Sequence, residues 1–202
     1  AQQHGQICGP VSAYPNKDAL LAELAQTLDA TNIPRPTALV IGALGRVGNG
    51  VADLCTDLGV AITKWDMAET ASGGPFPEIL AHDVFFNCIL ARPGTPVFVP
   101  ASAPTDPRKL TAIGDIACDP DSDYNPVPVY DRATTWAEPA LRVHNTPPLD
   151  IMAIDNLPSM LPLESSQDYA DQLLPSLLTL SDLTTGVWAR AETTFLTHLP
   201  KA

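Results

Sequence analysis

The chain has no long apolar run, few basic side chains and little cysteine, and each shortage removes a class of function. A membrane-spanning helix needs roughly 18–20 consecutive apolar residues, whereas the longest apolar stretches, 38–44 and 84–91, have strand length. Lysine and arginine number 11 against 23 aspartates and glutamates, a formal net charge of −12 over 202 residues. A surface of that sign repels phosphate backbones and anionic lipid, so neither nucleic acid nor a membrane is an expected partner. The four cysteines, Cys8, Cys55, Cys88 and Cys118, form no CxxC pair and are few for a disulfide scaffold. They read as reduced thiols of a cytoplasmic protein. The first residues lack the basic and apolar regions of a secretory signal, and the chain starts at Ala1 rather than Met, as a trimmed chain or a fragment would.

Preset clusters for metal or nucleophile chemistry are also missing. His4, His82, His144 and His198 are scattered without metal-ligand spacing, and there is no GxSxG elbow. No metal site and no catalytic residue is therefore expected, and the histidines read as structural or solvated. Asp115, Asp119, Asp121 and Asp123 follow an apolar segment but lack the glycine turn and oxygen ligands of a calcium loop. They read as capping residues of a strand-end loop.

What the chain does have is a globular composition, 45% hydrophobic against 17% charged, with strand patterns alternating with helix patterns. Asn16 is placed to cap a helix running to about Ala30, with Leu20, Leu24 and Leu28 on one face. Strands are predicted at Thr37–Ile41, Val60–Trp65, Asp83–Leu90 and Leu110–Cys118, with weaker ones at Leu141–His144 and Ile151–Ile154. Helices are predicted at Asn49–Leu58 and, briefly, Pro77–Leu80. The nearly continuous apolar character of Asp83–Leu90 suits a sheet covered on both faces. Prolines cluster in 93–107, 120–128 and 139–148, as ordered surface connections. The tail is helical, with Pro175 as a kink, and Trp188, Ala191, Phe195 and Leu199 form a stripe expected to pack as core. The fold class is α/β: a Rossmann-type, doubly wound parallel sheet with additional C-terminal helices. The expected division is an N-terminal segment and helix over 1–35 on the interdomain side, a nucleotide-binding domain over 36–160 and C-terminal helices over 161–202.

The segment with the most chemistry runs from Ala38 to Gly48. An apolar strand leads into Gly42, Gly45 and Gly48, spaced GxxGxxG, and a helix opens behind them. Glycines permit a tight turn and let the backbone approach a pyrophosphate, while the helix start offers free N–H groups and a positive dipole end. The next strand closes on Asp66, 18 positions past Gly48 and near the spacing of a ribose-binding acid. A carboxylate there accepts hydrogen bonds from both adenosine ribose hydroxyls and repels a 2′-phosphate, favouring NAD over NADP. Arg46, inside the turn, is open to three roles: against the adenine face, on a phosphate, or solvated. Lys64 lies on the same strand face as Asp66 and is placed to pair with it.

Several segments together resemble the NAD-dependent, lysine-forming saccharopine dehydrogenases: 40–48, 64–70 (KWDMAET), 73–76 (GGPF), 83–89 (DVFFNCI), 114–119 (GDIACD), 125–130 (NPVPVY) and 154–162 (IDNLPSMLP). The likeness runs from Tyr14 to Leu180, and the 64–76 stretch is one a generic dinucleotide fold has no reason to carry. The resemblance implies two α/β domains around a cleft, oxidation of saccharopine with NAD, and hydrolysis to lysine and 2-oxoglutarate. It puts Gly45 and Arg46 at the pyrophosphate and ribose side, Asp66 and Thr70 at the adenosine ribose, and Ile116 with the turn Ile154, Asp155, Asn156 and Leu157 at the nicotinamide half. It also implies that the acid–base lysine and histidine lie in a further, N-terminal catalytic domain that no part of this chain resembles. Three positions depart from the pattern. Val47 stands where some relatives carry a cysteine able to bond with the Cys88 position, Leu90 replaces an aromatic, and Asn156 replaces a histidine. A related opine or amino-acid dehydrogenase and a non-catalytic NAD-binding regulatory module remain open as alternatives.

Overall fold

A computed structural model describes residue 2 and residues 5–199. Asn16 caps α1 (Lys17–Ala30) by accepting the Ala19 amide at 2.9 Å, as its sequence position predicts. The chain then runs β1 (Thr37–Ile41), α2 (Arg46–Asp57), β2 (Ala61–Trp65), α3 (Met67–Thr70), α4 (Pro77–Leu80), β3 (Val84–Asn87) and β4 (Ala112–Asp115). An edge hairpin of β5 (Leu141–Asn145) and β6 (Pro148–Met152) follows, then a 3-10 turn (Leu157–Met160), α5 (Pro162–Leu177) and α6 (Gly186–His198).

The strands form one six-stranded sheet in the order β2-β1-β3-β4-β6-β5. Neighbours are parallel except β5, which pairs antiparallel with β6. The parallel expectation thus holds up to the edge. There the two-residue connection Thr146–Pro147 is too short for a crossover and permits only a hairpin. From β1 the chain passes through α2 to β2 on one side, then through α3 and α4 to β3 on the other. Right-handed crossovers in opposite directions put the connections on opposite faces and open a crevice at the carboxyl ends of β1 and β3.

Alternation along β1 feeds both faces. Ala38 and Val40 pack with Val51 and Cys55 of α2. Leu39 and Ile41 pack with Phe76, Ile79, Phe85 and Phe98 on the other face. This two-sided burial is why the strands read as unbroken apolar runs. The Arg108 guanidinium donates to the carbonyls of Ala103, Pro104, Leu110, Pro147 and Pro148, tying the 103–110 loop to the edge hairpin.

Several boundaries move. β3 stops at Asn87 rather than Leu90, and β4 covers Ala112–Asp115 rather than Leu110–Cys118. The Cys88 and Ile116 amides still bond to Ile41 and Asn87 carbonyls at 2.9 and 3.0 Å, after which both chains peel away. Cys118, at φ 53, turns the second of them. Helix α2 starts at Arg46, not Asn49, because Gly45 supplies the extended backbone of an N-cap. The expected core role of the last stripe is not met: α6 buries no residue, and Phe195 is 64% exposed. The period was read correctly, but among the described residues no element covers that face. No described helix is long and apolar enough to cross a membrane.

Asp83 fastens the start of β1. Its carboxylate accepts the Thr37 amide at 2.7 Å and the Thr37 hydroxyl at 2.8 Å, and pairs with Lys109 at 2.8 Å. Burial pushes its pKa up, but the Lys109 ammonium and the two Thr37 donors together outweigh that and hold it below the usual carboxylate value. A depressed folded pKa contributes stability that is present above about pH 3.9 and lost as pH falls through the folded value. In urea melts between pH 6 and pH 2.5, wild type should therefore lose stability relative to Asp83→Asn in the acid range. Parallel curves for the two chains would contradict this role.

Candidate functional site

The crevice is built on a turn that β2 holds from the side. The Trp65 carbonyl accepts the Gly42 and Ala43 amides, each at 3.0 Å. The Asp66 carboxylate accepts the next amide, that of Leu44, through Oδ2 at 3.0 Å. Asp66 also caps α3: its Oδ1 accepts the Met67 amide at 2.9 Å, while Glu69 Oε2 accepts the Asp66 amide at 2.8 Å. Thr70 donates its hydroxyl to the Asp66 carbonyl at 2.9 Å. Asp66 and Thr70 are thus fixed to each other and to the glycine turn. The expected Lys64 pairing is absent among the described residues, because both Asp66 oxygens are turned to backbone amides.

The three glycines are there for different reasons. Gly42 sits at φ +86, and a Cβ on it would meet the Cys88 carbonyl oxygen at 2.8 Å. A Cβ on Gly48 would lie 2.1 Å from the Gly42 carbonyl oxygen, so the helix can approach the turn only without a side chain there. Gly45 has an ordinary extended backbone, φ −75 and ψ 169, and its nearest obstacle to a Cβ is the Gly42 carbonyl at 3.3 Å. Packing therefore asks little of Gly45, and the lack of a side chain there leaves the mouth of α2 open. The first-turn amides of α2, on Arg46, Val47 and Gly48, have no partner within the helix, and no side chain caps them. Open amides at the positive end of a 12-residue helix, with a carboxylate on the neighbouring strand end, fit a diphosphate joined to a ribose.

Beside this turn lies a cleft of about 740 Å³ that brings Gly42, Asp66 and Thr70 together with Ile89, Arg92 and Phe98. The wall beyond Asn87 belongs to a segment read from sequence as strand or as plain connection; its proline spacing was the only available signal. Leu90, 72% exposed, lines the cleft as well. Arg46 does not line it: its guanidinium bonds Gln172 at 2.5 Å and pairs with Asp168, both on α5.

The residues expected at the other half of the crevice lie apart from the cleft. Ile116 packs against the α2-side core with Ala43 and Cys88. Ile154 is buried, Asp155 and Asn156 are exposed, and Leu157 opens the 3-10 turn half-buried. Asn156 Oδ1 accepts the Trp136 indole N–H at 2.8 Å. The described histidines bond locally, His82 to Thr63 and Glu78, His144 to Pro147 and His198 to Thr194. His4 lies outside the described residues.

Under the far half sits a buried polar group that sequence reading divided between a strand and a capping loop. Asp115, 1% exposed at the end of β4, accepts Asn87 Nδ2 at 2.9 Å and the Tyr130 hydroxyl at 2.8 Å. The nearby Ala117 and Cys118 amides also favour its charged form. Burial pushes its pKa up, with these donors pulling the other way. Asn87, fully buried, leaves Oδ1 without a partner among the described residues. Burial, helped by the Asp115 charge and by Cys55, lifts the neighbouring Cys88 thiol to about 12, so it is protonated at neutral pH and a poor nucleophile.

Two glycines of α2 give opposite expectations. Gly48→Ala should destabilise the fold by about 1–3 kcal/mol through overpacking against the turn. Gly50→Ala, with nothing within 4 Å of the new Cβ, should stabilise by about 0.5–1 kcal/mol. Thermal melts of the two variants check the pair, and a harmless Gly48→Ala would contradict the packing described.

No protein-family model matches the chain. Among curated proteins it is similar to saccharopine dehydrogenase [NAD(+), L-lysine-forming] of Candida albicans, 43% identical over 98% of this chain and 54% of that protein. The Yarrowia lipolytica protein of the same name is 44% identical over 94% of this chain and 54% of its own length. The Schizosaccharomyces pombe protein of that name is 38% identical over 95% and 55%. Along nearly its whole length the chain is similar to proteins named saccharopine dehydrogenase [NAD(+), L-lysine-forming], and it spans about half the length of the curated relatives it matches.

Proposed function

We propose that this chain supplies the NAD-binding part of an NAD-dependent oxidoreductase acting on a CH–NH bond, converting saccharopine, NAD+ and water to L-lysine, 2-oxoglutarate, NADH and a proton. The observation that carries the reading is the glycine turn held by Trp65 and Asp66, with uncapped α2 amides beside it. NAD, when bound, takes up the hydride from the carbon carrying the secondary amine. The chain's own part is to bind and orient. The α2 amides hold the diphosphate, with Gly45 bare so that it can approach. Asp66 accepts the adenosine ribose hydroxyls, and Thr70 keeps the Asp66 backbone in place. The cleft beside them takes the adenine. Ile116 and the 154–157 turn face the other half of the cofactor, and Arg46 turns from its α5 partners toward the pyrophosphate side.

Within this reading the groups that move protons come from the part of the protein outside this chain, a catalytic domain with the acid–base pair. The apolar side chains left open on α5 and α6, Leu174, Leu177, Phe195 and Leu196 among them, are the kind of surface such a domain covers. The proposed reaction belongs to amino-acid metabolism, and the four cysteines, which read as reduced thiols, fit the cytoplasm.

Calorimetric titration with NADH tests the assignment. Asp66→Ala should weaken binding by about 1–3 kcal/mol, the scale of hydrogen bonds to a charged acceptor. Gly45→Val should weaken it further, because a branched side chain fills the mouth of α2. Unchanged affinity in both variants would contradict the reading. The 202-residue chain should also bind NADH without producing it from saccharopine and NAD; turnover by this chain alone would place the acid–base pair within it.

A further inference from the structure

The buried trio Asn87, Asp115 and Tyr130 sits where the fold directs the second half of a dinucleotide. The sheet order puts β2 on one side of β1 and β3 and β4 on the other. A dinucleotide laid across the mouth of α2 with its adenosine at Asp66 must run toward the ends of β3 and β4. Asp115 is the last residue of β4, and Asn87, the last of β3, is its register partner. Both side chains hydrogen-bonded to the Asp115 carboxylate donate, the Asn87 amide to Oδ1 and the Tyr130 hydroxyl to Oδ2. These donors favour the ionised form, against burial, which raises the Asp115 pKa overall. Asn87 keeps its amide nitrogen on Asp115 even at the expense of leaving Oδ1 unpartnered. No described cation pairs with Asp115, so in its ionised form it has no counter-charge in a low-dielectric surrounding.

We propose that the buried Asp115 carboxylate sets the redox preference of the crevice, favouring the oxidised, cationic nicotinamide ring over the reduced, neutral one. This rests on the NAD-binding reading above. Asp115 touches no reacting atom in this account. It acts through space, and its effect differs between the two cofactor forms, which a merely structural role would not produce.

Asp115→Asn is the informative change because it is isosteric and can be satisfied in place. Asn87 flips its amide, its Oδ1, unpartnered among the described residues, accepts the new amide N–H, and Tyr130 keeps the remaining oxygen as acceptor. Dissociation constants for NAD+ and NADH are measured by calorimetry on wild type, Asp115→Asn and Tyr130→Phe, with folding followed by circular dichroism. In Asp115→Asn the affinity for NAD+ should fall roughly three- to tenfold more than that for NADH. In Tyr130→Phe, which breaks the same network but keeps the charge, the two constants should move together. Equal changes for both forms in Asp115→Asn would overturn the inference while leaving the NAD-binding reading standing. An Asp115→Asn chain that does not fold would also overturn it, making the carboxylate a requirement of the fold. A wild-type chain that binds neither form would overturn that reading and this inference with it.

Discussion

The end of the second strand grips the glycine turn after the first, and the crevice depends on that grip. One carbonyl, of Trp65, takes two successive amides, and the Asp66 carboxylate takes the third. With those donors consumed, the turn is fixed and the next free amides are the ones at the mouth of α2. The same carboxylate that braces the turn is the one proposed to hold the ribose. Fold and candidate site therefore share one residue, so loss of Asp66 affects both the shape of the turn and what the turn can hold.

Gly42 and Gly48 make the grip possible. Each removes a side chain that would collide with backbone, Gly42 against the Cys88 carbonyl just past β3 and Gly48 against the Gly42 carbonyl. The turn is thereby wedged between β2, β3 and α2, and a change at any of the three elements reaches it. On the far side, the Asp115 network fixes the ends of β3 and β4 to each other in the same way. Two polar clusters, one at each end of the crevice, thus sit on an apolar sheet whose faces are both covered.

Much of this was legible in the sequence. The β1 limits, the Asn16 cap, the Pro77–Leu80 helix and the glycine turn with Asp66 beyond it all follow from local chemistry: periodicity, capping geometry and spacing. The misses have nonlocal causes. β3 and β4 end early because the chain leaves the ladder at the crevice, and apolar residues such as Ile89 continue as its lining. The Asp115–Tyr130 contact joins a strand end to a proline-rich connection, which no spacing rule links. Helical period in α6 was correctly read, but period alone does not say what covers a face. Arg46, open in sequence between the adenine face, a phosphate and solvent, bonds to α5, a partner remote in sequence that no spacing rule shows.

The most direct test of the account is amide-resolved NMR of the chain titrated with NADH. The account predicts that the amide signals of Arg46, Val47 and Gly48 shift and gain protection from exchange, while the Gly42, Ala43 and Leu44 amides are already protected without cofactor. Unprotected turn amides, or a titration in which residues 46–48 do not respond, would contradict it.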